Sequence, residues 1–239
     1  MLFGFFYYDW TILIVLPAMI FTIWAQIRVN STFEKYSRTI SRSGLTAADA
    51  ARRLLDANGL YQVAVNRVPG KLTDHYDPRT KTLNLSEAVY SSGSSAAIGV
   101  ACHEAGHAIQ HAKEYAPLNL RMRIIPICNV GSQLAMPLFL VGLIFAYVSA
   151  YGSLIGEIFM LSGIACFSLA TLFQLVTLPV EFDASKRALE GIENYHLLAE
   201  DEVPAARKVL SAAAMTYVAA LAASLLSLLR LILIAQRRK

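Results

Sequence analysis

"ACHEAGHAIQH", residues 101–111, holds three of the chain's five histidines and decides how the rest is read. Either it is a metal-holding helix or it is a core helix that happens to carry histidines. His103 and His107 are four apart. On a helix they stand one turn apart on one face, so both imidazoles can reach one ion. Glu104 is rotated about 100° from His103. It can address a water held by that ion without filling a coordination position. Zinc lowers the pKa of such a water to about 7, and the glutamate can take its proton and deliver it to a leaving amine. Gly106 leaves room for another element to approach the helix. A core helix has little other reason to carry two histidines and a glutamate together, so the metal reading is preferred. His111 shares the face but lies roughly 12 Å along the axis from His103, too far to bind the same ion. Gln110 stands where the HExxHxxGxxH spacing needs glycine. His111 is therefore read as a surface or supporting residue.

The chain around the motif is unlike a soluble domain. Of 239 residues, 56% are hydrophobic and only 16% charged, against about a quarter charged in ordinary globular proteins. Four apolar runs are long enough to cross a bilayer: Leu2 to Ala25, Ile124 to Ala150, Leu154 to Val180, and Ala212 to Ala235. The first lacks the basic start and small-residue cleavage site of a secretory signal, so it reads as a retained anchor. Trp10 and Trp24 are expected near its two interfaces, and Asp9 close to one surface. Tyr151-Gly152-Ser153 makes a tight link between the second and third runs. Arg28, Lys35, Arg38, Arg121 and Arg123 flank the first two runs on one side. Lys186, Arg187, Arg207 and Lys208 follow the third on the same side. The positive-inside rule makes that side cytoplasmic. The tail "QRRK" and Arg230 fit this less well, so the last run is read as either spanning or interfacial. Net charge is +4, with no basic block interleaved with aromatics, and no nucleic-acid partner is expected. Cys102, Cys128 and Cys166 form no CxxC pair or disulfide framework and read as packing residues.

Between the first two runs the pattern mixes helix and strand. Thr46 caps a helix, with Asp49 three residues on and Gly59 as its stop. "YQVAVNRV" (61–68) alternates and is β-branched, which predicts a strand. A turn at Asp77-Pro78 leads to a short strand, Lys81-Thr82-Leu83-Asn84-Leu85. That strand is expected to be the sheet edge on which an extended substrate pairs. The motif helix is predicted from about Ser94 to Tyr115.

A catalytic zinc needs a third protein ligand. Asp74 and Asp77 stand on a turn and are poorly fixed. Glu181 and Asp183, in "LPVEFDASKRALEG" (178–191), are the stronger candidates. They point in different directions on a helix, so both cannot readily bind one ion. Acidic residues also suit a helix start for ordinary dipole reasons. His196, Tyr195 and Tyr217 are available as donors to a transition-state oxyanion.

The order HExxH, two spanning helices, then a glutamate-led helix resembles the membrane-embedded gluzincins, which include the HtpX-type proteases and the type-one CAAX prenyl proteases. "HEAGHAIQH" with "LPVEFDAS" is still more similar to the YugP-like family of neutral zinc metallopeptidases, over almost the whole chain. That resemblance implies His103, His107 and Glu181 as ligands of one Zn²⁺ and Glu104 as general base. In HtpX-like proteins the ligand helix reads ExxxD; here Ser185 stands at the fifth position, so only a hydroxyl could support a ligand histidine from there. Asp183 and His196 are the remaining candidates for support or transition-state donation. The expected protein is an α-helical membrane protein with a small α+β zincin-like cytoplasmic metalloprotease domain. Its parts are an anchor (1–27), the cytoplasmic domain (28–123), a transmembrane hairpin (124–180), the third-ligand region (181–211) and a last apolar helix (212–239). The expected activity is hydrolysis of protein or peptide substrates at the cytoplasmic face of a bacterial plasma membrane. The alternatives are a catalytically silent zinc-binding scaffold and an intramembrane metalloprotease.

Overall fold

The computed structural model describes residues 10–148 and 154–236. Asp9, the start of the first apolar run, the link Tyr151-Gly152-Ser153 and the terminal basic tail lie outside them. The described chain is mostly helical with one small sheet. In chain order the elements are α1 (Ile12–Ser37), α2 (Ala47–Ala57), β1 (Ala64–Val68), β2 (His75–Asp77), β3 (Thr82–Ser86), α3 (Glu87–Tyr90), α4 (Ser95–Ala112), α5 (Ala116–Val148), α6 (Leu154–Asn194) and α7 (Val203–Gln236). Among the described residues, α1, α5, α6 and α7 are long and apolar enough to cross a membrane. α1 holds the first apolar run from Ile12 on, α5 the second as far as Val148, and α6 and α7 the third and fourth.

The chain divides into two compact units. The first joins Met1–Trp24, Leu120–Thr177 and Tyr217–Lys239. Small residues let its helices touch. A Cβ at Gly163 would meet the Phe139 nitrogen at 2.7 Å and the Ala135 carbonyl oxygen at 2.8 Å, the kind of close approach that membrane helices use. The Thr171 and Ser224 hydroxyls bond at 2.7 Å, and Arg230 donates from Nε to the Thr11 hydroxyl at 3.3 Å. Many of its large apolar side chains, such as Ile127, Ile144, Ile158 and Leu175, are exposed. Outward apolar side chains suit a hydrocarbon solvent.

The second unit joins Ala25–Asn119 and Leu178–Thr216 and holds the sheet, α2, α3 and α4. Its core gathers Leu54 and Leu55 of α2, Leu83 and Leu85 of β3, Ile98 and Cys102 of α4, Ile192 of α6, and Ala206 and Leu210 of α7. Helix α2 starts with a full capping box. The Thr46 hydroxyl accepts from Asp49 N at 3.1 Å, and the Asp49 carboxylate accepts from Thr46 N at 3.2 Å. Gly59, at φ +74°, turns the chain out. The turn continues through Val63 N, which bonds the Leu60 carbonyl, so β1 begins at Ala64 rather than at Tyr61. Helix α4 is capped by the Ser94 hydroxyl, which accepts from Ala97 N at 3.2 Å. It stops at Ala112, short of Tyr115, because Glu114 takes a positive φ of 51°.

The sheet corrects one expectation. Its strand order is β1-β3-β2, with β1 parallel and β2 antiparallel to β3. The segment around Lys81 to Leu85 is therefore the paired centre of the sheet, not an edge open to a substrate. Burial gives the reason. Leu83 and Leu85 are fully buried, and a strand with that much to bury is driven inward. Lys81 is not in the strand; at φ +53° it closes the turn from β2. The Asp77 carboxylate builds that turn by accepting from Arg79 N at 2.9 Å and the Thr80 hydroxyl at 2.8 Å. The outer strand on that side is β2, which runs beside α4.

Loss of the α2 cap has a defined cost. Thr46→Ala is expected to destabilise the protein by about 1 kcal/mol and Thr46→Ser much less, measured as unfolding midpoints of the detergent-solubilised chain.

Candidate metal centre

Helix α4 carries His103, Glu104 and His107, and α6 brings Glu181 to them from 78 residues away. The approach depends on small residues. Gly106 and Ala184 are both buried, and a Cβ at Gly106 would stand 2.6 Å from the Ala184 carbonyl oxygen. Glu181 is almost fully buried at 2% exposure. A buried carboxylate needs partners that offset its desolvation, and its Oε2 has them. His103 Nε2 lies 3.3 Å away and His107 Nε2 3.5 Å. The imidazole planes are nearly perpendicular, at 83°. The three residues offer ligand atoms all within 4.8 Å of one another.

The donor set fits zinc. Two imidazole nitrogens and one carboxylate oxygen are the protein ligands of an open catalytic zinc site. With bonds of about 2.0–2.1 Å in a tetrahedron, ligand atoms stand about 3.3 Å apart, close to the two separations here. Each ring nitrogen facing away from Glu181 also has a partner. The Ser185 hydroxyl is 3.1 Å from His103 Nδ1, and Gln110 Oε1 is 3.0 Å from His107 Nδ1. Partners of this kind orient metal-binding histidines. Burial lowers the pKa of His107, but its hydrogen bond to Glu181 and the charges of Glu104 and Glu181 outweigh that and raise it above its ordinary value. Burial pushes the neighbouring Cys102 thiol up to about 12, consistent with a packing role.

Glu104 does not join this cluster. Its Oε2 accepts from the backbone N–H of Tyr76 on β2 at 3.0 Å. The Tyr76 hydroxyl reaches His111 Nδ1 at 2.9 Å, so His111 ties β2 to α4. Asp183 does not touch either metal-facing histidine. Its carboxylate accepts from Gln110 Nε2 at 2.8 Å and from Arg187 Nε at 2.5 Å. Asp74 is occupied by Ser86 N and Oγ. His196 and Tyr195 are exposed and follow the far end of α6. From Glu181 that helix runs unbroken to Asn194, roughly 20 Å at 1.5 Å per residue. Neither can donate to a transition state formed at His103 and His107. Tyr217 belongs to the other unit. Sequence reading missed Gln110 and Tyr76. The spacing of Gln110, three residues after His107 on the same helical face, was the available signal; nothing local marked Tyr76.

Comparison with known proteins gives a consistent result. The family model described as "Putative neutral zinc metallopeptidase" matches residues 11–236. A relative from Bacillus subtilis (strain 168), "Putative membrane protease YugP", is 47% identical over 223 residues, which cover 93% of this chain and 95% of the relative. No solved structure matches the chain.

The close approach at Gly106 is testable. Gly106→Ala places a methyl group against the Ala184 backbone, which cannot yield as a side-chain tip would. The two helices must separate, and zinc affinity is expected to fall roughly tenfold or more, the scale of losing a ligand's supporting partner. Competition with a chromophoric chelator measures it.

Proposed function

The chain belongs to the family described as "putative neutral zinc metallopeptidase", and from that membership we propose that it is a membrane-anchored zinc endopeptidase acting on membrane or membrane-associated proteins. The observation that carries the reading is the convergence of His103, His107 and Glu181, with Glu104 one residue from the first ligand and outside the cluster. When bound, zinc supplies Lewis acidity toward the scissile carbonyl and toward water. His103, His107 and Glu181 hold the ion. Glu104 is the general base. Tyr76 N–H orients its carboxylate by binding Oε2, and Oε1 takes the proton of the attacking water. The same carboxylate then gives that proton to the departing amine as the amide C–N bond breaks. A purely structural metal site has no use for such a group.

Sequence adjacency supports a membrane-linked substrate. Glu181 follows directly on the apolar run that ends at Val180, and α5 begins four residues after α4 ends. The helix bearing the motif is not among the four apolar enough to cross, which favours a site outside the bilayer over an intramembrane one. The basic residues flanking the apolar runs support a site facing the cytoplasm of a bacterial cell, with the amino terminus outside.

Glu104→Gln is expected to keep zinc and fold but to lose hydrolysis by about 100- to 10,000-fold, assayed by zinc content and peptide cleavage on one preparation. Undiminished cleavage by the zinc-loaded variant overturns the mechanism. A zinc-loaded wild type that cuts nothing in a broad peptide panel makes the chain a silent scaffold. Glu181→Ala is expected to lose zinc and activity together. For topology, a reporter fused at Gly152 is expected to read outside the cell; a cytoplasmic signal reverses the arrangement.

A further inference from the structure

Gln110 is fully buried on α4. A buried amide is costly unless its polar atoms are bonded, and here both ends are used. Its Nε2 donates to the Val180 carbonyl and to Asp183 Oδ2, each at 2.8 Å. Its Oε1 lies 3.0 Å from His107 Nδ1. The two partners of Nε2 are a backbone carbonyl and a carboxylate, and an ionised carboxylate accepts only. Arg187 donates to the same oxygen, Nε to Oδ2 at 2.5 Å, and so keeps the carboxylate ionised and accepting. Turning the amide over would place Oε1 against two acceptors and forfeit both bonds. The amide therefore has one orientation. With Oε1 facing His107, a hydrogen bond forms only if Nδ1 carries the hydrogen. A metal ligand is the neutral imidazole, and in that form His107 Nε2 is the bare nitrogen, the one that faces Glu181.

His103 lacks this arrangement. Its Nδ1 meets the Ser185 hydroxyl at 3.1 Å, and a hydroxyl can donate or accept. Ser185 fits either tautomer of His103; Gln110 fits one tautomer of His107. Resting on the zinc-site reading above, we propose that Gln110 is a positioning residue that fixes the metal-binding tautomer of His107, and that Asp183 and the Val180 carbonyl lock the Gln110 amide to that end. Asp183 thus acts on the metal site through an intermediary and binds no ion.

The test reads zinc affinity and proton position rather than cleavage. In the zinc-loaded wild type, nitrogen-15 NMR of the imidazoles is expected to find the His107 hydrogen on Nδ1, protected from exchange. Gln110→Met keeps length and removes both halves of the lock. It is expected to weaken zinc binding by about 10- to 100-fold, the usual effect of losing a partner behind a ligand histidine, and to leave the Nδ1 hydrogen in fast exchange. Finding the His107 hydrogen on Nε2 in the wild type overturns the proposal, and that measurement needs no variant to fold. Zinc affinity of a folded Gln110→Met within twofold of wild type also overturns it. A wild type that binds no zinc overturns both this proposal and the metallopeptidase reading. A zinc-loaded wild type that cuts no peptide overturns only the proteolytic part.

Discussion

The burial of the Glu181 carboxylate is the constraint on which the candidate metal centre depends. An ionised group at 2% exposure is stable only where opposite charge or strong donors face it. Two imidazole nitrogens within 3.5 Å of Oε2 supply that condition. They can do so only because α4 and α6 meet through residues with almost no side chain. A larger group at position 106, where a Cβ would already stand 2.6 Å from the Ala184 carbonyl oxygen, would hold the helices apart and leave the carboxylate buried beside apolar atoms. Packing and chemistry are the same requirement here: the alanine-glycine contact that looks like a plain helix crossing sets the spacing of the candidate ligand atoms.

Much of this was legible in the sequence because it is local. The four-residue step between His103 and His107 guarantees a shared face once the segment is helical. The Thr46–Asp49 box is written in neighbouring residues and appears as expected. The four apolar runs needed only length and composition. What was not legible depends on long-range choices. Which strand occupies the middle of a three-stranded sheet is decided by where each finds burial, and the alternation around Lys81 to Leu85 looks the same for an edge as for a centre. Only its pairing on both sides, with β1 and with β2, identifies it. The motif's need of a third ligand pointed to Glu181 or Asp183, and only the family resemblance singled out Glu181.

Asp183 and His196 show the same limit from opposite sides. Helical direction places Asp183 away from Glu181, and it does point away; yet that direction leads to Gln110, whose position was known but whose rotamer was not. His196 looked available because it is near Glu181 in the sequence. A helix converts such nearness into distance at 1.5 Å per residue, and α6 continues too far for His196 to return. Reading the length of α6 correctly would have removed it.

The bond from Tyr76 N–H to Glu104 also bears on how copies of this chain behave toward one another. β2 is the outer strand on its side of the sheet, and outer strands invite other chains to add to them and aggregate. Here the strand is three residues long. Its central amide is already committed to a carboxylate, and its central hydroxyl to His111. A second polypeptide approaching that edge meets no free donor at its midpoint. The residue that presents Glu104 in a fixed orientation thereby also blunts the sheet as a template for self-association, a protection against precipitation gained without any residue set aside for it.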